Sequence, residues 1–316
     1  MDFFNYKKPV AYKIYWKQNL NGSRYGVLTF PSPVITKYQE NNTVYVNFIL
    51  PSKPSPPVIY IHGLYEKKHT KPFFFVKKLS ELGFSTFLIE LPFHMDRKPK
   101  GTFSGQLFLT LDQQHSDMAH RQAIIDVRAL IDIIQSAPEF VYASDFPISV
   151  IGVSMGAIIL NALFGIDHRI DAGISIIGAA NLGKLFFKSP ITFPLSLTAF
   201  LKGLRIRHIR GVISDYKVFL QDIKEKGVEN ISPKYSWFLL DPLTYASNFH
   251  GRKFIMINGI FDMIIPRSQV KEFWKAIGKP KIFWFYCSHF TISIFYKQIL
   301  SIIRNFLTGK IISICR

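Results

Sequence analysis

The segment PISVIGVSMGAIIL, residues 147–160, runs from apolar, β-branched residues into Gly-Val-Ser-Met-Gly and then into small apolar residues. A buried strand followed by Gly-x-Ser-x-Gly and a helix is typical of a nucleophile elbow, a sharp turn that lifts a serine hydroxyl out of a sheet. Glycine is needed at 152 and 156 because a side chain there would collide with the neighbouring strand or helix. The pattern alone is short enough to arise by chance, so its position between a strand and a helix is what makes Ser154 a candidate nucleophile.

The rest of the chain predicts an α/β fold around this elbow. Three segments, 10–16, 25–30 and 44–50, read as strands with no helix between them, which suits an antiparallel N-terminal edge. From residue 58 onward strands alternate with helices, which implies crossover connections and a mainly parallel sheet with helices on both faces. The predicted later strands are 58–61, 85–91, the elbow strand, 172–178, 253–258 and 281–286.

The chain is predicted to form a single domain over residues 1–316, with an insertion at 181–250 that separates two core strands. Structureless loops of that length are rare in compact domains. We therefore expect this segment to fold as a mostly helical cap over the carboxyl ends of the strands. Residues 181–250 are called the cap segment below.

A long helix is predicted near 116–136, because isoleucine and valine recur there at helical spacing. Ser116 is predicted to cap its N-terminus, with the capping consensus left incomplete by Ala119.

A serine hydroxyl is a poor nucleophile at neutral pH and needs a base that is itself held by a carboxylate. The chain order expected after this kind of elbow is serine, then an acid, then histidine. Asp262 follows the strand near 253–258, and His289 follows the strand at 281–286, so both lie at carboxyl ends of strands. The region near residue 180 offers no carboxylate, and Asp241 is the weaker alternative because it precedes a strand. The predicted triad is Ser154, Asp262 and His289.

The oxyanion that forms during acyl transfer needs backbone N–H donors set in advance. Met155, the residue after the nucleophile, is predicted to supply one donor. The second is expected from Leu64 in the loop after strand 58–61, where Gly63 lets the backbone approach closely. His62 is expected to brace this loop and to transfer no proton.

His94 and Arg97 follow the strand at 85–91 and are predicted to line the substrate pocket, with a solvated loop as the alternative. His115 and His120 are five residues apart and would not share a helix face, so no metal site is predicted. The sequence contains no glycine-rich phosphate loop, and no cofactor is expected.

Several motifs, in order, resemble those of the α/β-hydrolases over roughly residues 40–308, and the details are similar to esterase-like and acyl-aminopeptidase-like members. They are HGL at 62–64, ELPFH at 90–94, GVSMG at 152–156, DPLTYA at 241–246, NGIFDMIIP at 258–266 and SHF at 288–290. The resemblance implies hydrolysis of an ester, thioester or amide through an acyl-serine, without a metal. The elbow ends Gly-Ala instead of the frequent Gly-Gly, and the cap segment matches no known cap type, which leaves the substrate class open.

The net charge of +18 is spread along the chain and accompanies no nucleic-acid motif, so a solvated basic surface is favoured over nucleic-acid binding. The basic, amphipathic C-terminus at 298–316 is expected to pack on the sheet, although peripheral membrane contact stays open. No apolar run reaches the length of a membrane span, the first residues do not resemble a signal peptide, and the only cysteines are Cys287 and Cys315. A cytoplasmic location is expected, and the oligomeric state is not determined.

The predicted triad, together with the resemblance to α/β-hydrolases, predicts a serine hydrolase that cleaves a small-molecule carboxylic ester or thioester. Two alternatives remain: a serine peptidase of the acyl-aminopeptidase kind, and a non-catalytic binding protein on a hydrolase scaffold.

Overall fold

The structure is a computed structural model, and it describes residues 3–9, 11–17, 19–20, 22–203 and 205–315. Within these ranges nine strands form one sheet. They are β1 (Lys13–Trp16), β2 (Arg24–Pro31), β3 (Thr43–Leu50), β4 (Pro57–Ile61), β5 (Ser85–Ile89), β6 (Ile148–Val153), β7 (Ile170–Ile176), β8 (Lys253–Gly259) and β9 (Lys281–Phe285).

The described helices precede, separate and follow the later strands, as the alternating pattern predicted. They are α1 (Thr70–Glu81), α2 (Gln113–Ser136), α3 (Val141–Ser144), α4 (Met155–Ile166), α5 (Leu182–Lys188), α6 (Phe193–Leu201), α7 (Ile206–Lys226), α8 (Arg267–Ala276) and α9 (Tyr296–Leu307). None of them combines the length and the apolarity that crossing a bilayer requires.

The strands lie in the order β1-β2-β3-β5-β4-β6-β7-β8-β9. The sheet is antiparallel at its N-terminal edge, where β1 pairs with β2, β2 with β3, and β3 with β5. The remaining neighbours, from β5 through β4, β6, β7 and β8 to β9, all pair parallel. The predicted α/β class with an antiparallel N-terminal edge is confirmed. Because parallel strands all end at one edge, the loops after β4, β6, β8 and β9 open on the same side of the sheet.

The sheet is buried on both faces, and successive residues of one strand point to opposite sides of it. In β4, Ile59 and Ile61 belong to the core cluster that includes α2, α4 and α8, whereas Val58 and Tyr60 belong to the cluster formed with α1 and α9. The apolar stripe of α9, which includes Ile299 and Ile303, is buried in this second cluster. The C-terminal helix therefore packs on the sheet, as expected.

The N-terminus of α2 differs from the prediction. The helix begins at Gln113, and the carboxylate of Asp112 accepts a hydrogen bond from the backbone N–H of His115 at 3.1 Å. Ser116 lies one turn inside the helix, where its hydroxyl accepts a hydrogen bond from Thr110 N–H at 2.9 Å. The prediction of Ser116 as N-cap was wrong, because the aspartate four residues earlier already satisfies a free N–H group of the first turn.

The cap segment contains α5, α6, α7 and a run of short 3-10 turns that ends with Pro242–Phe249. Its aromatic residues pack together: the ring of Tyr216 lies 4.8 Å from that of Phe238 and 4.9 Å from that of Trp237. The carboxylate of Asp241, which is fully buried, accepts hydrogen bonds from the backbone of Asn181 and Leu182 at the start of the segment. Asp241 thus joins the two ends of the cap segment to each other.

Candidate active site

Ser154 lies between the last residue of β6 and the first residue of α4, with φ +56° and ψ −116°. Residues other than glycine rarely adopt a positive φ. The turn therefore holds the backbone of Ser154 in a strained conformation that the surrounding structure must impose. A Cβ at Gly152 would collide with the backbone of Gly156 and Ala157, and a Cβ at Gly156 would collide with the carbonyl oxygens that end β4. Only glycine lets β6, α4 and β4 come this close.

The structure brings the three predicted triad residues together. The Ser154 hydroxyl lies 2.8 Å from Nε2 of His289, and Nδ1 of the same ring lies 2.8 Å from Oδ2 of Asp262. The other carboxylate oxygen accepts hydrogen bonds from the backbone N–H groups of Ile264 and Ile265, each at 2.9 Å. The carboxylate is therefore fixed by its own loop, and the imidazole has one nitrogen for the acid and one for the serine.

The loop after β4 approaches the serine as the sequence predicted. A Cβ built at Gly63 would lie 3.4 Å from the Cβ of Ser154. The backbone N–H groups of Leu64 and Met155 donate no hydrogen bond to any described residue. Two free donors next to the serine are what an oxyanion site needs.

Two buried histidines hold this loop. His62 donates from Nδ1 to the carbonyl of Gly63 at 2.8 Å and accepts at Nε2 from Leu91 N–H at 3.0 Å. His94 donates from Nδ1 to the carbonyl of Pro92 at 2.8 Å and accepts at Nε2 from Tyr65 N–H at 3.2 Å.

Burial places the pKa of His62 well below its ordinary value, and the neighbouring His94 acts in the same direction. Burial also lowers the pKa of His94 to about 4. Both rings are therefore neutral at pH 7, which is the form that can accept a hydrogen bond from a backbone N–H.

The structure places His94 and Arg97 differently from the prediction that they line the substrate pocket. Both side chains are fully buried, and neither is among the residues that line the cavity beside Ser154. The guanidinium of Arg97 pairs with Asp126 at 2.8 Å and donates to the carbonyl groups of Glu90 and Asn41, each at 2.8 Å. Two of these three acceptors, Asn41 and Asp126, are distant from Arg97 in the sequence, so the local sequence does not reveal its buried position.

A cavity of about 390 Å³ lies between Ser154 and the cap segment. Leu64, Met155 and Ile158 form part of its wall on the side of the sheet. The cap segment contributes mainly apolar side chains, among them Leu185, Phe186, Phe187, Ile209, Val212 and Trp237. Ser154 therefore lies in the wall of a mainly apolar cavity that is lined on one side by the cap segment, whose sequence gave no specific indication of the ligand.

Sequence reasoning set aside Asp117 and His120, on the first turns of α2, as structural or surface residues, yet both lie in the cavity wall. Burial raises the pKa of Asp117 to about 6, and its carboxylate accepts a hydrogen bond from the hydroxyl of Ser236 in the cap segment. Burial also lowers the pKa of His120, whose Nδ1 donates to the carbonyl of Ser116 at 2.8 Å. The available signal was the position of α2, whose N-terminus follows the loop from β5 at the catalytic edge of the sheet.

No protein-family model and no curated protein matches the sequence. Among solved structures, the chain is similar to an acetyl xylan esterase from Paenibacillus sp. R4, with a TM-score of 0.62 and 15% identity over 94% of this chain and 89% of the other. It is also similar to a cold-adapted esterase from an Arctic intertidal metagenomic library, with a TM-score of 0.58 and 12% identity over 94% and 99% of the two chains. A Pyrococcus furiosus esterase superposes with a TM-score of 0.52 and 16% identity over 95% and 92%.

At such low identities the similarity bears on the fold alone, which the mainly parallel sheet and the elbow between β6 and α4 also indicate. The protein has the α/β-hydrolase fold, and its solved structural neighbours include several esterases.

Proposed function

We propose that the protein is a serine hydrolase that cleaves carboxylic esters through an acyl-serine intermediate. The observation that carries the proposal is the unbroken chain of hydrogen bonds from Ser154 through His289 to Asp262, with the serine at the wall of an apolar cavity. The esterases among the structural neighbours support the same chemistry.

In the proposed mechanism Nε2 of His289 removes the proton as Oγ of Ser154 bonds to the ester carbonyl carbon. Asp262 keeps the imidazole of His289 in the tautomer that carries its proton on Nδ1, and it stabilises the imidazolium. The N–H groups of Leu64 and Met155 bind the oxyanion. The C–O bond of the ester then breaks, and the imidazolium returns the proton to the departing alcohol. A water molecule, deprotonated by the same imidazole, releases the acid and restores the serine.

The shape of the site favours substrates with an apolar acyl or alcohol group. A chamber of about 390 Å³ lined mainly by apolar side chains accepts a flexible hydrocarbon group readily and offers fewer partners for a polar one. Thioesters have the same acyl geometry and remain within the proposal. An amide-cleaving role of the acyl-aminopeptidase kind is the nearest alternative.

The direct test is turnover of p-nitrophenyl esters of increasing chain length together with labelling by a fluorophosphonate probe. The wild-type protein should hydrolyse the esters and take up one probe per chain. Ser154→Ala should lose both properties while Ser247→Ala, at an exposed serine of the cap segment, keeps them. Equal rates for the wild type and Ser154→Ala would refute the proposal, and an unlabelled wild type would favour the non-catalytic binding protein. Faster turnover of peptide p-nitroanilides than of any ester would favour the peptidase.

The sequence left peripheral membrane contact open for the C-terminal segment 298–316; we propose instead that such a contact would involve α6 of the cap segment. Phe193, Leu197 and Leu201 lie on one face of α6 and are 60%, 45% and 81% exposed. Exposed basic residues follow at Lys202, Arg205, Arg207 and Arg210, and no acidic residue occurs between positions 171 and 215. An apolar face beside clustered cations suits a bilayer with anionic head groups.

Sedimentation with vesicles tests this contact. Vesicles containing phosphatidylglycerol should retain the protein, phosphatidylcholine vesicles should retain less, and the double variant Leu197→Ser, Leu201→Ser should lose retention. Equal retention of the wild type and the variant would contradict a contact through α6, and stronger retention on duplex DNA than on vesicles would favour nucleic acid as the partner.

A further inference from the structure

We propose that His69, Glu90 and Asp96 form a binding site for one divalent transition-metal cation, such as Zn²⁺, next to the loop that carries Leu64. The three residues come from different elements. His69 precedes α1, Glu90 follows β5, and Asp96 lies in the turn after Glu90. One ligand atom from each lies within 4.8 Å of the other two.

The separations of the ligand atoms suit a small cation. Nε2 of His69 is 3.2 Å from Oε1 of Glu90 and 3.5 Å from Oδ2 of Asp96. Ligands about 2.0–2.2 Å from a tetrahedral zinc ion lie about 3.4 Å from one another, so a cation fits between these atoms with little movement. Imidazole and carboxylate are both common zinc ligands.

Glu90 is the observation that points to a cation. Its side chain is fully buried, and Oε1, the oxygen that faces His69, accepts no hydrogen bond from any described residue. The other oxygen accepts from the backbone N–H of Asp96 at 3.1 Å. The neighbouring Arg97 sends its guanidinium to the backbone carbonyl of Glu90 and to the carboxylate of Asp126, so it does not occupy the free oxygen.

A buried carboxylate oxygen that accepts no hydrogen bond is unfavourable unless a cation or proton compensates it. The carboxylate of Asp96 is largely exposed and His69 is partly exposed, so the site is open to solvent on one side. A cation could enter from that side and keep water as a further ligand.

The position of the site gives it a role. His69 is the last residue of the connection from β4 to α1, and this connection also carries Gly63 and Leu64. A bound cation would join the end of this connection to the end of β5. The cation would therefore stiffen the loop that supplies the oxyanion donor, without touching the substrate. His69, Glu90 and Asp96 are positioning residues in this proposal.

The test is calorimetric titration of the chelator-treated, full-length protein with ZnCl₂, in parallel with thermal unfolding. The wild type should bind one tight equivalent, and its unfolding temperature should rise by about 5 °C at a zinc concentration a hundred times the dissociation constant. Glu90→Gln and His69→Ala should each weaken binding at least tenfold. Asp96→Asn, at the exposed ligand, should have a smaller effect.

The matched controls are Glu229→Gln and His168→Ala, which make the same changes at exposed positions far from the cluster in sequence. They should bind zinc as the wild type does. Undiminished one-to-one binding in Glu90→Gln, or no saturable binding by the wild type at millimolar zinc, would overturn the proposal. The same titration in Ser154→Ala should be unchanged, so the result is independent of the proposed esterase activity.

Discussion

At the scale of single residues, the site depends on a few backbone approaches that only particular side chains allow. The positive φ of Ser154 and the contacts that exclude a Cβ at Gly156 were predictable, because the Gly-x-Ser-x-Gly pattern carries its own geometric requirement. The buried role of His94 was not predictable, because it depends on a hydrogen bond to Tyr65, which is 29 residues away.

Substitution of Gly156 tests the elbow. Gly156→Ala should destabilise the protein by about 3 kcal/mol or more, because the new methyl group would meet backbone carbonyl oxygens that cannot move independently. Gly211→Ala is the matched control, since a Cβ there meets nothing within 4 Å and lies inside α7, where alanine should stabilise by about 0.5–1 kcal/mol. Chemical denaturation measures both values, and similar stabilities for the two variants would contradict this account of the elbow.

Substitution of His94 tests the bracing of the oxyanion loop. His94→Ala removes the acceptor for Tyr65 N–H and should lower kcat for an ester about tenfold to a hundredfold, with little change in KM, because the proposed role of the loop is to donate to the oxyanion in the transition state. His94→Gln keeps an acceptor and should recover part of the rate. Steady-state kinetics on the folded variants measures this, and a change confined to KM would instead indicate contact with the substrate.

At the scale of helices and strands, the periodic patterns were sufficient for the type of each element and less so for its ends. The strand predicted at 172–178 is found at Ile170–Ile176, and the helix predicted near 116–136 begins earlier, at Gln113. The N-terminal end of a helix depends on which side chain reaches a free N–H group of its first turn. At α2 the sequence analysis predicted Ser116 as the N-cap, whereas the structure uses Asp112.

The N-cap of α2 gives a prediction at this scale. Asp112→Ala should lower the free energy of unfolding by about 1 kcal/mol through loss of its hydrogen bond to His115 N–H. Asp112→Ser keeps an acceptor and should retain most of the stability. Urea denaturation measures the difference, and an equal loss in both variants would mean that the cap hydrogen bond is not its source.

At the scale of the whole molecule, the order of the strands explains why residues more than 100 positions apart meet. Ser154, Asp262 and His289 follow β6, β8 and β9, which lie on one side of the sheet and end at the same edge. The alternation of strands and helices predicted that edge. The strand order and the lining of the cavity were not predictable, because they depend on packing between distant segments, above all on where the cap segment folds back.

Stability as a function of pH is a property of the whole chain to which Asp117 contributes in a definite direction. Its folded-state pKa of about 6 is above the ordinary value of 3.8, so the folded state holds the proton more tightly than the unfolded state does. The contribution of Asp117 to stability therefore falls as pH rises from about 4 to about 6 and stays low above that.

Asp117→Asn removes this titration. Relative to the wild type, the variant should gain about 2 kcal/mol of stability between pH 4 and pH 8. Denaturation curves at several pH values measure the difference, with Asp145→Asn, at an exposed position, as the control that should show no such trend. A constant difference across the range would show that the carboxyl group of Asp117 is not perturbed.

The insertion between β7 and β8 leaves and re-enters the sheet at points that the carboxylate of Asp241 ties together. The insertion is therefore a unit that can be exchanged, lengthened or shortened as a whole. Such an exchange would change the lining of the cavity without altering the proposed triad. A chimaera that carries a foreign insertion between β7 and β8 would test whether the insertion can be exchanged in this way.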